Sequence, residues 1–279
     1  MKQDRYAKLA HGGRPIEGLV VDIHMHLGEE PNFPVPFYRD LDLVVHEMDR
    51  HGVDVGAVSC IPAVLGGLQP GGNELVLEAV RRFPDRFFGW IGINPFYPDA
   101  MLAELERCHE AGCRGLKIHD SVGLPYEHKN YRVAFEFAAA RGLPILAHTW
   151  GGQLDKMEPF FREFAVNWSL AHAGSDSPEK YVRVAREHDN VYLDVCYSRC
   201  PRGLIEHFVR EGVAEKVMFS SDCYFMGMSQ QLGRIVFADV SPEHKALILG
   251  GNARRFLGAL CPRGGGKRRP TTRKGRRST

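Results

Sequence analysis

The chain has 279 residues, of which 44% are hydrophobic and 25% charged. That is enough apolar material for one large core, without the bias of a disordered or fibrous chain. Its net charge of +2 is unevenly spread, because residues 262–279 hold eight Lys and Arg and no acid, which leaves −6 on residues 1–261. No run of about 18 apolar residues is present, so no membrane-spanning helix is expected.

Residues 1–18, with Gly12, Gly13 and Pro15, read as an irregular lead-in without the apolar run of a signal peptide. The first strand, about 19–26, is an apolar run ending in His24-Met25-His26. Side chains alternate along a strand, so His24 and His26 are expected to project together. Neutral imidazoles are the commonest protein metal ligands. The stretch 27–39 carries Pro31, Pro34 and Pro36 and reads as a loop, a candidate substrate wall. Leu41, Val44, Val45 and Met48 keep helical spacing, predicting a helix over 41–51 that Gly52 ends.

Strand and helix then alternate. Strands are expected at 53–60, 87–94, 115–119, 144–149, 168–174, 191–196 and 217–222. Helices are expected at about 73–82 with Asn73 as cap, and at 101–111 with Asp99 as cap. Further helices are expected at 131–141, 155–166, 178–187 behind Ser177-Pro178, and 202–211. Three helical stretches close the fold at about 228–237, 242–249 and 252–260. Eight strands, each followed by helix, predict a single-domain α/β fold, a (β/α)8 TIM barrel over 19–260. The tail 261–279 has nothing to bury and is expected to be disordered.

Active sites of such barrels lie at the C-terminal ends of the strands. The polar groups at those ends are His24 and His26, Lys117 and His119, His148, His172, and Asp222. Singly, each reads as a hydrogen-bonded core residue, a helix cap or a snorkelling lysine. Together they are seven ionisable groups on one rim. Burying them uncompensated costs several kcal/mol per charge, on the order given for buried ions, and a divalent cation offsets that cost.

His-x-His on strand one, Gly115-x-Lys117, His148, His172-x-Gly174 and Ser221-Asp222, in barrel order, resemble the amidohydrolase superfamily, and within it the amidohydrolase-related branch. Asn190 to Asp194 and Gly250-Gly251-Asn252-Ala253 agree with that resemblance, which spans about residues 19–260. It implies a divalent metal, zinc first, held by His24, His26 and Asp222. In two-metal members Lys117 is carboxylated and bridges the ions, while His148 and His172 hold the second. In one-metal members His148 completes the first site and His172 acts as acid/base or substrate contact. An unmodified Lys117 is instead a partner for a substrate carboxylate.

The expected activity is hydrolysis of an amide, lactone or ester by a metal-activated water, with Asp222 moving the proton and His172 as a second catalytic group. His119 and Arg199 (or Arg202) are candidate substrate contacts, against the reading of ordinary surface arginines. The alternative is non-oxidative decarboxylation of an aromatic or unsaturated acid, which the branch's longer members tend to perform. A third reading is a non-catalytic metal- or nucleic-acid-binding barrel using the basic tail. That tail lacks base-stacking aromatics, so nucleic acid is not the expected partner.

Cys60, Cys196 and Cys223 fall near strand ends and read as buried structural thiols. Seven cysteines without a Cys-x-x-Cys pair argue against a disulfide framework and for a reducing, cytoplasmic setting. The expected partner is a small-molecule substrate, and a homodimer is the default assembly. No nucleophile elbow, phosphate loop or dinucleotide fingerprint is present.

Overall fold

Short apolar runs and amphipathic runs alternate along the chain, and the fold follows that alternation. The computed structural model describes residues 4–29, 39–196 and 201–264. Arg199 and the basic tail from residue 265 onward lie outside the described residues. The strands are β1 (Val21–Leu27), β2 (Val55–Cys60), β3 (Phe87–Gly92), β4 (Gly115–Ile118), β5 (Ile145–His148), β6 (Trp168–Ala171), β7 (Val191–Asp194) and β8 (Val217–Met218). They pair in sequence order, all in parallel. All are buried along their whole length, as strands between a filled interior and a helical shell must be.

The helices are α1 (Arg5–His11), α2 (Leu41–His51), α3 (Ile61–Val64), α4 (Glu74–Arg82), α5 (Pro98–Glu110), α6 (Lys129–Arg141), α7 (Leu154–Glu163), α8 (Pro178–Glu187), α9 (Leu204–Arg210), α10 (Met228–Val236), α11 (Pro242–Ala246) and α12 (Asn252–Leu257). A π turn over Leu247–Gly251 joins the last two. The expected barrel is therefore present.

Closure runs between β1 and the segment after β8. Ile23 N donates to Phe219 O at 3.2 Å, Asp222 N to His24 O at 2.9 Å, and His26 N to Cys223 O at 2.6 Å. Two apolar clusters result. One fills the barrel interior with Val21, Ile23, Ala57, Trp90, Leu146 and Met218, among others, and is floored by Phe256 and Leu257 of α12. The other lies between barrel and helices and includes Met25, Leu27, Leu116 and Ile118.

Gly115 has no room for a side chain: a Cβ there would stand 2.3 Å from the Trp90 ring, whose Nε1 donates to Ile23 O at 3.0 Å. Gly52 ends α2 in the left-handed region at φ 85°, a conformation glycine adopts without penalty.

Several local expectations are corrected. The lead-in contains α1, because Asp4 accepts from Tyr6 N and Ala7 N at 3.0 Å and is clasped by Lys245 Nζ at 2.6 Å. Seven helical residues are too few to show a period in sequence. Asn73 precedes α4 but does not cap it: its side chain ties β3 at Gly92 to Glu104. Asp99 sits in the first turn of α5 behind Pro98 rather than at its cap. Ser177 makes no side-chain cap bond. The described cysteines are free, and among the described residues no helix is long and apolar enough to cross a membrane.

Candidate metal centre

The end of β1 sets the geometry. Asp22 pairs with Gly56 and Met25 with Val58, so β1 gains one residue on β2 between them. This bulge changes the alternation. Val21 and Ile23 face the barrel interior, Met25 and Leu27 face the helices, and His24 and His26 line the cavity at the mouth. Their Nε2 atoms meet at 3.0 Å. Behind them, His24 Nδ1 lies 2.7 Å from Asp194 Oδ2 and His26 Nδ1 lies 2.9 Å from Ser59 Oγ.

Asp222 joins them from the turn after β8. Its Oδ1 is 3.2 Å from His26 Nε2 and 3.7 Å from His24 Nε2. Lys117, buried on β4, brings Nζ to 3.0 Å from His24 Nε2. A second pair of nitrogens meets nearby, His148 Nδ1 and His172 Nε2 at 3.1 Å. His172 Nδ1 is 3.0 Å from Cys196 O, which accepts its proton and leaves Nε2 with a lone pair. His172 and Asp222 hold φ of 61° and 54°, the only non-glycine residues among those described with positive φ. Backbone held in that sparse region is a recurrent feature of functional sites.

These groups line a cavity of about 290 Å³, whose remaining walls are His119, Leu65, Trp150, Phe225 and Met226. Trp150 stacks over His172 with ring centroids 5.7 Å apart, and Phe225 meets His26 edge-on at 5.1 Å. His119 stacks on His148 at 3.7 Å and accepts from Ser121 N through Nδ1, so its proton sits on Nε2. Cys196 is fully buried between the two groups of imidazoles, its Sγ 3.4 Å from His24 Nδ1 and 3.5 Å from His172 Nδ1.

Burial dominates the electrostatics. It pushes His24 down to about 4 and His119 to about 2, with Lys117 adding repulsion, and it lowers His26 and His148 as well. Those rings are neutral at pH 7, the form that ligates metal. Burial brings Lys117 down to about 8 and raises the Cys196 thiol, so it stays protonated. For Asp194, burial pushes upward, but His24 and the Ser220 hydroxyl outweigh it and hold the carboxylate.

All seven strand-end candidates, His24, His26, Lys117, His119, His148, His172 and Asp222, line this one cavity. Arg202 is exposed and is not among the lining residues, and Arg199 lies outside the described residues. Residues not singled out from sequence are Asp194, Ser59, Asp22, Trp150 and Phe225. Asp22 Oδ1 accepts from His24 N at 3.2 Å and Ser221 N at 2.9 Å, tying β1 to the turn that carries Asp222. Burial pushes its carboxyl up to about 7. A polar residue inside an apolar strand was the available signal for Asp22 and Asp194.

The donor set suits a divalent cation. Asp194 accepts only, so His24 carries its proton on Nδ1 and turns a lone pair toward His26 and Asp222. His24, His26 and Asp222 bring three donor atoms within 4.8 Å of one another. Such sets accept zinc or manganese among the transition metals.

The fold resembles several solved structures. An uncharacterized TIM-barrel protein from Bordetella bronchiseptica superposes with a TM-score of 0.72 at 16% identity, covering 86% of this chain and 99% of that one. A dihydroxybenzoic acid decarboxylase from Polaromonas, with bound manganese and the inhibitor 2-nitroresorcinol, gives 0.68 at 18%, covering 86% and 97%. A probable 2-pyrone-4,6-dicarboxylic acid hydrolase from Acinetobacter baumannii, with citric acid bound, gives 0.62 at 15%, covering 86% and 99%. At these identities the likeness establishes the barrel fold. The amidohydrolase family model matches residues 21–259, from the first residue of β1 to just beyond α12 and across every residue of the cluster, and the chain belongs to that family.

Proposed function

We propose that the chain is a metal-dependent hydrolase acting on an amide, lactone or ester bond of a small molecule. The observation that carries this reading is the meeting of His24 Nε2, His26 Nε2 and Asp222 Oδ1 at 3.0, 3.2 and 3.7 Å on one cavity wall. Those residues would hold the first ion, zinc or manganese. His148 and His172, whose nitrogens also converge, would hold a second with a carboxylated Lys117 between them. When bound, the ion polarises a carbonyl and acidifies a water.

The protein's own groups do the rest. Asp222 accepts the proton of the attacking water and returns it to the leaving group. With one ion only, His172, whose Nδ1 is engaged by Cys196 O, would instead offer Nε2 as the second acid/base. His119 presents its Nε2 proton to an anionic or carbonyl oxygen of the substrate. Leu65, Trp150, Phe225 and Met226 exclude water around the reacting bond.

A second reading, decarboxylation of an aromatic or unsaturated acid, is favoured by one observation. The cavity is small, about 290 Å³, and is walled by Trp150 and Phe225, which suits a single flat ring. An unmodified Lys117 would then hold the carboxylate.

The test is a product assay with the metal-loaded full chain on two panels, single-ring lactones and amides, and single-ring carboxylic acids. Ring opening or amide cleavage abolished by a chelator supports the hydrolase. Chelator-sensitive release of CO2 replaces it with the decarboxylase. Turnover of neither panel, or turnover indifferent to the chelator, counts against the reading.

A further inference from the structure

Two wall residues of the cavity stand on neighbouring loops. His119 follows β4 and carries its proton on Nε2, and Trp150 follows β5. Both flank the His148 ring: His119 stacks on it at 3.7 Å, 22° from parallel, and Trp150 meets it edge-on at 5.0 Å. One loop thus offers a hydrogen-bond donor and the other a flat apolar surface.

Loops that carry a site are ordinarily more mobile than the strands beneath them. Here one side chain joins the two. Gln153, in the turn that opens α7, accepts from Trp150 N through Oε1 at 2.8 Å and donates from Nε2 to Asp120 Oδ2. Asp120 is the residue next to His119, so one amide is engaged at both ends, each end beside a wall residue. Gln153 itself does not line the cavity. The far side of Trp150 is held as well. Gly151 is buried, and a Cβ there would stand 3.2 Å from Asp176 Cβ and 3.3 Å from Ser177 Cβ, on the loop after β6.

We propose that Gln153 is a positioning residue that fixes the His119 and Trp150 loops as one wall, and that this wall selects a flat single ring bearing an oxygen acceptor over a puckered ring of the same size and charge. This rests on the cavity's being the substrate site, under either chemistry above. A planar ring lies flush on an indole, whereas a chair-shaped ring touches it through a few atoms only. That difference vanishes once the indole is free to tilt.

The test is acrylamide quenching of tryptophan fluorescence in the zinc-loaded full chain, with benzoate and cyclohexanecarboxylate as probes. Of the three tryptophans, Trp90 and Trp168 are fully buried, so Trp150 alone is open to the quencher. Benzoate is expected to shield Trp150 with a Kd about tenfold below that of cyclohexanecarboxylate, the factor that one good aromatic contact supplies. In Gln153→Ala the quenching is expected to rise, and the two probes to bind within about twofold of each other once that contact is lost. Gln153→Glu sets two carboxylates face to face and should behave as Gln153→Ala. Adding Asp120→Asn restores a donor and an acceptor between the two positions, with the donor now at residue 120, and should return both readouts toward wild type. A merely structural role for Gln153 would not give that rescue. Unchanged quenching in Gln153→Ala, or a double variant no better than Gln153→Glu, overturns the clasp. Equal shielding of the wild type by the two probes, or shielding by neither, overturns the selection of flat rings. Turnover of neither panel in the product assay would remove the proposed reactions, and a wild type that takes up no zinc would remove the metal reading. The quenching comparison of the variants depends on neither, so the failures are distinguishable.

Discussion

Lys117 Nζ stands 3.0 Å from His24 Nε2, with both side chains buried, so an ammonium occupies the approach to a nitrogen that a metal would use. A cation beside a cation is unfavourable at short range. Carboxylation by CO2 would replace that positive charge with a negative one. If this is its state, protein purified without chelator carries two metal equivalents and Lys117→Ala carries one or none, as elemental analysis would read. One equivalent in both proteins assigns Lys117 to the substrate instead and strengthens the decarboxylase.

Asp222 is the proposed proton carrier, and its φ of 54° is one that asparagine also tolerates. Asp222→Asn should therefore fold, with an unchanged circular dichroism spectrum, while kcat falls about 10²- to 10⁴-fold, the usual contribution of a general acid–base group. An activity loss under about tenfold, well short of that range, would remove Asp222 from the catalytic role.

Gly115 sits two residues before Lys117, and a Cβ there would approach the Trp90 ring at 2.3 Å and Phe88 at 2.9 Å. Trp90 is fully buried in the barrel interior and cannot retreat. Gly115→Ala is expected to cost about 1–3 kcal/mol by overpacking, read as a lower urea midpoint. Trp90→Ala should cost about 3–5 kcal/mol by leaving a cavity.

On the outer shell, hydrogen bonds from Arg183 hold the Glu158 carboxyl down to about 2 from its ordinary 4.5, against the opposing push of burial, with His188 assisting. A depressed carboxyl stabilises the fold above pH 4.5, and that contribution is lost as pH falls toward 2. Glu158→Gln should lower stability at pH 6 by about 1 kcal/mol, the upper end for exposed pairs. It should also flatten the acid limb of a Tm-against-pH curve. A variant whose acid limb matches the wild type would show that the pair contributes nothing.

Much of the barrel was legible in the chain because strand and helix periods are local properties. Apolar runs ending at His24, Lys117, His148, His172 and Asp222 recur with amphipathic helices between them, and parallel pairing in sequence order follows from that alternation. Side-chain chemistry at the strand ends was legible for the same reason. What the chain could not reveal depends on register and on contacts far apart in sequence. Strict alternation from Val21 and Ile23 would have turned His24 toward the helices; the extra residue that β1 gains on β2 turns it into the mouth. Asp194 reaches His24 across 170 residues of chain, and Ser59 reaches His26 across 33, pairings that no local pattern encodes. Barrel closure alone brings Asp222 beside His24, through a hydrogen bond between the turn after β8 and the first strand. Sequence determined which groups could ligate. Tertiary structure decided which nitrogen each one offers, because a tautomer is set by the neighbour on the far side of the ring.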